Sequence, residues 1–408
     1  MAWLDFRPEE MSDARTLIRE LQEDGLLDEL GFGVLQNAIA ERLYPATTTI
    51  MTASRYLFFL PAIYEHLEER QTPSRHIEER ARQMQNQLRD VLKRTEGDRR
   101  GVIGYQAGPE LKRLPSNIYW NGLRRLGLFR RNWSESTYYA HLDQLYADAA
   151  PHEDDDGALY AGHDAEACWD RERPAPSFLD ARGEFKPDTD FRLTRAEARD
   201  LLGRFDKLFP HSLLSYLLRN RIPRLDAPWS LPRPPTELAP VLRHARALSA
   251  LAQGVTLQYY ALLVEARGQR GIAAPQVDLE ATFERWHEEA RPVLETWDFE
   301  AFFTADFILD AQALRVGDRP FLTAWRNEVL AHGSARALFG APKARQLVRE
   351  REARVKPGKA RLRFHSYLEA WNASFLEQGL GNYALLYRHR IGQRFAQEII
   401  LGLGGGAS

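Results

Sequence analysis

Apolar residues recur at helical spacing along most of the chain, and alternating runs are scarce. The clearest case is 74–95, where Ile77, Ala81, Met84, Leu88, Val91 and Leu92 fall on one face and Glu, Arg and Gln on the other, predicting an amphipathic helix. Upstream, Ser12 and Asp13 stand where they would cap a helix running to about Leu30, with Leu17, Ile18, Leu21 and Leu27 near helical spacing. Gly31 and Gly33 end it. The segment SRYLFFLPAIYEHLEER is apolar on most sides as far as Pro61 and amphipathic beyond, so it reads as a buried helix kinked or restarted at the proline.

Residues 101–131 have a different texture. GVIGYQAG is a β-like run broken by glycines, an amphipathic helix follows from about Ser116 to Leu126, and LGLFRR is a second β-like run. That order predicts a winged helix-turn-helix. At 100° per residue, Ile118, Tyr119, Gly122, Leu123 and Leu126 share the core-facing arc, while Asn117, Trp120, Asn121, Arg124 and Arg125 lie opposite.

Past 147 the period is lost. Residues 147–195 are rich in acid, Pro and Gly and read as an irregular linker. Helical spacing returns behind Thr194, whose TRAE has the capping-box spacing, and again in HSLLSYLLRN. After the Pro-rich connector Pro223–Pro235, a helix from about Leu238 to Arg267 is apolar at Leu242, Ala245, Leu248, Ala252, Val255, Tyr259 and Leu262. Further amphipathic stretches cover 278–298, 320–337, 341–352, 362–377 and 387–401. The expected fold is mainly α, with a winged-helix-like segment in the N-terminal half followed by a C-terminal helical domain. The expected divisions are a helical region (1–75), the winged-helix-like domain (76–146), an acidic and Pro-rich linker with short helices (147–235) and the C-terminal helical domain (236–408).

Composition narrows the class. The 408 residues are 44% apolar and 27% charged, ordinary values for a globular protein. With a net charge of −2, any polyanion surface must be a local patch. One cysteine, Cys168, cannot form an internal disulfide and fits a reducing cytoplasm. The acidic N-terminus does not read as a secretory signal, and the longest apolar run, Tyr56–Tyr64, has nine residues where a spanning helix needs about 20, so no membrane is expected.

Charge concentrates in two places. Between Lys112 and Arg131 stand Lys112, Arg113, Arg124, Arg125, Arg130 and Arg131 with no acidic residue between them. Arginines hold phosphates and guanines, and Asn117 and Asn121 are side chains that read base edges, so these residues with Trp120 form the candidate nucleic-acid surface. A second basic stretch, Lys343, Arg345, Arg349, Arg351, Arg354, Lys356, Lys359, Arg361 and Arg363, has only Glu350 and Glu352 against it. It reads as a phosphate-tracking surface, a docking face or a solvated helix end.

Catalytic patterns are weak. His152, Asp154, Asp155, Asp156, His163, Asp164, Cys168 and Asp170 are metal-ligating types, but their spacing matches no ligand pattern and they read as a solvated acidic loop. Asp180 with Glu184 and Lys186 loosely matches the acid-plus-E-x-K pattern of restriction-type nucleases, but Gly183 and Pro187 make a poor strand context. Neither GVIGYQAG nor the terminal GLGGG has the residues of a nucleotide loop. No cofactor, metal or catalytic residue is expected.

Several blocks together carry a resemblance: WLDF at Trp3–Phe6, DELGFGVLQNAIAERLYPATTTIMTASRYLFFLP, DRRGVIGYQAG with LKRLPSNIYWNGLRRLGLF, GVTLQYYALLVEA, and the closing YRHRIGQRFAQEII. On these the chain resembles an uncharacterised bacterial domain-of-unknown-function family found beside phospholipase-D-like nucleases and helicases in anti-phage defence loci. The resemblance implies an accessory subunit of an anti-phage or DNA-modification system, with a phospholipase-D-like nuclease or helicase subunit as partner; with the basic face above, the expected role is a non-catalytic DNA-binding or adaptor subunit. It transfers no catalytic residue. The competing readings are a protein–protein scaffold without DNA contact and a metal-dependent nuclease using the 152–186 carboxylates.

Overall fold

In a computed structural model the chain is described at residues 29–96, 101–106, 108, 111–149, 152–153, 159–160, 167–373, 376 and 384–404. The helix expected over 12–30 lies outside these residues, as do Asp154, Asp155, Asp156, His163 and Asp164 of the acidic loop. Within them the protein is mainly helical; the named strands are two residues each, His152–Glu153 paired antiparallel with Leu159–Tyr160. Two compact units divide the chain. One holds Tyr44–Leu225 and the C-terminal helix from Arg390, the other Asp226–His389 with residues 29–43.

The first unit is built on the Tyr56–Glu69 helix, buried from Tyr56 through Tyr64. The helix passes through Pro61 without a restart, the proline giving no N–H to the Leu57 carbonyl. Ser74–Thr95 buries the predicted stripe, Ile77, Ala81, Met84, Leu88, Val91 and Leu92. It also buries Gln85 and Arg89. Thr194 forms the expected reciprocal cap: its Oγ1 accepts from Glu197 N at 3.2 Å, and Glu197 Oε2 accepts from Thr194 N at 2.7 Å. The closing helix, His389–Gly402, is tied to this unit by Glu398, which accepts from Ser54 N and Oγ at 2.6 and 2.7 Å.

The second unit is centred on the 31-residue helix Ala239–Gln269. By length and composition this helix is long and apolar enough to cross a bilayer, but 78% of its most apolar window is buried within the protein. Gly254 is needed there, since a Cβ would fall 2.0 Å from the ring of Trp286, whose Nε1 donates to Ala250 O at 2.7 Å. Leu279–Glu295, Asp318–Ala331 and Pro342–Val355 pack around the central helix, close to the stretches expected. Only His365–Glu369 is a named helix within the expected 362–377 stretch, among the described residues.

Candidate nucleic-acid interface

The 101–131 segment folds around one helix, Pro115–Arg125. Its start satisfies the exposed backbone donors in an orderly way. Pro115 has no N–H to lose, Ser116 N donates to the buried Gln85 Oε1 at 2.9 Å, and Leu114 N donates to Asn117 Oδ1 at 2.9 Å. Gln85 Nε2 donates in return to Ser116 Oγ at 3.2 Å, so the helix start is pinned to Ser74–Thr95.

The other end is a Schellman turn. Gly127 takes a left-handed φ of +67°, Gly127 N donates to Arg124 O at 3.0 Å, and Leu128 N donates to Leu123 O at 2.9 Å. Between the ends, Tyr119 OH accepts from Thr52 N and donates to Ala53 O, both at 2.8 Å. Gly122 lies so close to Ala46 that a Cβ would come within 2.9 Å of its carbonyl oxygen. The register of the helix is therefore fixed on its core side.

The flanking β-like runs turn out differently from expectation. Residues 101–106 form turns. Leu128–Arg130 makes a single antiparallel bridge, Phe129 with Trp169, with Arg130 N donating to Cys168 O at 2.8 Å and Asp170 N to Leu128 O at 2.9 Å. The glycines that read as strand punctuation, Gly101 and Gly104, have φ of +112° and +76°, which bend the chain rather than extend it.

The polar face is only partly as the helical wheel drew it. Lys112, Asn117 and Asn121 are exposed, and Arg113, Arg124 and Arg125 are half-buried. Asn117 completes the helix start and donates its amide to Glu135 Oε2 at 2.5 Å, so its side chain is committed to structure. Trp120 is a correction: it is 6% exposed, not on the outer face. Its ring sits among Tyr64, Phe129, Tyr138 and Trp169, with centroids 4.8–5.8 Å away, and its Nε1 donates to Trp133 O at 2.9 Å.

Each arginine of the 124–131 stretch is oriented by a neighbour. Arg124 donates to the Asn132 carbonyl oxygen of the side chain. Arg125 lies over the Phe209 ring at 5.1 Å and Arg131 over Trp133 at 5.4 Å. Arg130 pairs with Asp170 at 2.5 Å. Asp170 and Cys168 were expected in a solvated acidic loop, yet both are buried. Burial alone would raise the Asp170 carboxyl, but hydrogen bonds from Arg204 and Arg130 hold it below the ordinary carboxylate range. Arg204 also donates to Leu126 O at 3.0 Å, capping the Pro115–Arg125 helix with a positive charge. Asn132, Asp170 and Arg204 were not singled out as partners, because nothing local in the sequence places them beside the helix.

The second basic stretch is largely spent on the second unit itself. Lys343 pairs with Glu328 at 2.6 Å, Arg345 with Glu265, and Lys356 and Arg361 both with Glu29. Arg354 donates to Gly317 O at 3.4 Å. Arg351 is buried against Asp318 at 2.7 Å and also donates to Leu30 O and Gly31 O. Arg349, Lys359 and Arg363 are exposed, Arg363 lying over the Phe364 ring at 5.3 Å. A continuous phosphate-tracking strip is not what this helix presents.

The nuclease-like pattern also comes apart. Leu179 and Phe185 form a bridge around a tight turn in which Asp180 Oδ1 accepts from Arg182 N and Glu184 N at 2.9 and 2.8 Å. Lys186 Nζ donates to Ser177 O at 2.5 Å. Asp180 is a turn former here, and its carboxyl is lowered first by the Glu184 N–H. Among the described residues no group of three or more His, Cys, Asp or Glu side chains is placed to hold a metal ion.

In comparisons with known proteins, one family model, described as a family of unknown function (DUF6361), matches residues 1–401. The chain matches no curated protein and no solved structure.

Proposed function

The chain belongs to the DUF6361 family, and from that premise we propose that it is a non-catalytic DNA-binding or adaptor subunit of a bacterial anti-phage defence system. One observation carries the reading. A run with six basic and no acidic residues, Lys112–Arg131, is folded on a helix whose register is fixed from both ends, presenting Lys112, Asn121, Arg124 and Arg130 at or near the surface. A recognition surface needs this combination: positive charge for phosphate, an amide for base edges and a rigid frame to hold both in register. The helix and its neighbour Glu135–Ala149 serve as the paired helices of the binding module, with Arg124 and Arg125 on phosphate or guanine and Asn121 on a base edge. Arg113 and Arg131 flank the contact; Trp120 supports it from inside and touches no base. Of the second stretch, Lys359 and Arg363 supply the non-specific remainder. A phospholipase-D-like nuclease or a helicase is the partner we propose for this role, on the strength of the resemblance alone.

The test is a fluorescence-anisotropy titration of the intact chain against duplex DNA. Arg124→Ala with Arg125→Ala is expected to weaken binding by roughly tenfold or more and to lower the salt slope by about 1 for each phosphate no longer neutralised. Affinity and slope equal to those of the parent would refute this placement of the interface. A chain with no affinity for DNA at physiological salt, but co-purifying with a nuclease or helicase, would favour the scaffold reading instead.

A further inference from the structure

The first unit contains a second concentration of positive charge that no sequence motif announces. A groove of about 550 Å³ opens between the end of Tyr56–Glu69, the first turns of Ser74–Thr95 and the turn around Gly183. Three separate segments each bring an arginine to it: Arg70, Arg80 and Arg182. Glu184 is the carboxylate among its lining residues, while Glu69 and Asp180 act on His66 and Glu79 accepts from Gln83 at 3.1 Å.

Its parts are assembled rather than loosely adjacent. Arg70 donates to Arg182 O at 3.0 Å, fastening the turn to the helix end. Gly183, at a φ of +82°, lies against the His66 imidazole so closely that a Cβ would fall 2.1 Å from its Nε2. Arg80 Nη1 is held by a neutral partner, Gln83 Oε1, at 3.2 Å. None of Arg70, Arg80 and Arg182 makes an ion pair within 4 Å among the described residues, Arg182 acting on Asp180 at longer range, in contrast with Lys343, Arg345, Arg351, Lys356 and Arg361. Guanidiniums gathered around one groove repel one another unless an anion joins them, and their forked donors match the oxygens of a tetrahedral oxyanion.

We propose that this groove is a phosphate-binding site that takes a phosphate of a nucleic-acid strand. Its chemistry stands on the groove alone, while the strand as the source of the phosphate rests on the DNA-binding reading above. Position supports that source: Arg82, on the same Ser74–Thr95 helix, donates to Leu111 O at 3.3 Å, beside Lys112. The groove and the start of the basic run thus both border the Ser74–Thr95 helix.

The experiment uses the full chain in two arms: calorimetric titration with inorganic phosphate, and anisotropy titration with a 5′-phosphorylated oligonucleotide. Three proteins are compared: the parent, Arg80→Glu with Arg182→Glu, and Arg124→Ala with Arg125→Ala. Both reversed side chains are exposed, and thermal unfolding verifies that the fold is kept. The parent is expected to bind inorganic phosphate. The charge reversal is expected to abolish that binding and to weaken the oligonucleotide about tenfold; the Arg124/Arg125 variant is expected to keep phosphate binding and lose oligonucleotide affinity. A parent that does not bind inorganic phosphate, or a charge-reversed protein that still does, overturns the site. Loss of phosphate binding with unchanged oligonucleotide affinity overturns the strand as its source, and leaves a phosphorylated protein as the ligand to try next.

Discussion

At Asp170 one carboxylate serves two arginines, Arg130 from the basic run and Arg204 from Arg195–Leu208. The side chain is 8% exposed, so removing its charge takes the carboxylate from Arg130 and leaves Arg204 with Asp200 alone. Asp170→Asn is expected to destabilise the protein by about 1–3 kcal/mol at pH 7, measured by denaturant unfolding. Because the folded carboxyl is held low, its contribution is fully present above the unfolded carboxylate range and is lost as pH falls from there through the lowered folded value. The gap between parent and variant should therefore close as pH drops below about 4; a gap that is constant with pH would place the stabilisation elsewhere. Trp120 shows the opposite side of residue-scale reading. A helical wheel assigns one core side and one solvent side, and it separated Ile118, Leu123 and Leu126 correctly. It could not see that Tyr138 and Trp169, distant in sequence, cover the opposite side as well.

At the scale of elements, legibility followed the range of the interaction that makes each one. Ser74–Thr95 and the Thr194 cap depend on neighbours within a turn or two, and their residues were readable. The two β-like runs were not, because a strand is decided by a partner: Phe129 finds only Trp169, and residues 101–106 become turns. The same reasoning explains the Pro342–Val355 helix. Counting charges along it gave a basic strip, but Glu265, Asp318 and Glu328 come from elsewhere in the unit to meet it, and Glu29 meets Lys356 and Arg361 just beyond its end. Arg351→Ala is expected to cost about 3–5 kcal/mol of stability, since it leaves Asp318 buried without its cation, and to leave DNA affinity at the parent value. Calorimetric unfolding together with an anisotropy titration checks both halves. A stable variant with weakened DNA binding would return this helix to the nucleic-acid surface.

For the whole molecule, the mainly helical architecture was legible from periodicity, whereas the return of the closing helix to the first unit was not. That return hangs on contacts such as Glu398 with Ser54, separated by 344 residues, and on Gly392, where a Cβ would strike the Tyr44 ring at 1.9 Å. Charge shows the same division. A net −2 conceals a basic run and a cationic groove in one unit and an internally neutralised helix in the other. Polyanion contact is therefore expected mainly on the first unit. Its most direct test is the affinity of the intact chain for duplex DNA measured across salt concentrations. Binding is expected whose logarithm falls linearly with the logarithm of salt, with a slope of several units, as released counterions require. Affinity that is absent at low salt, or that does not respond to salt, would contradict a DNA-binding role for this surface.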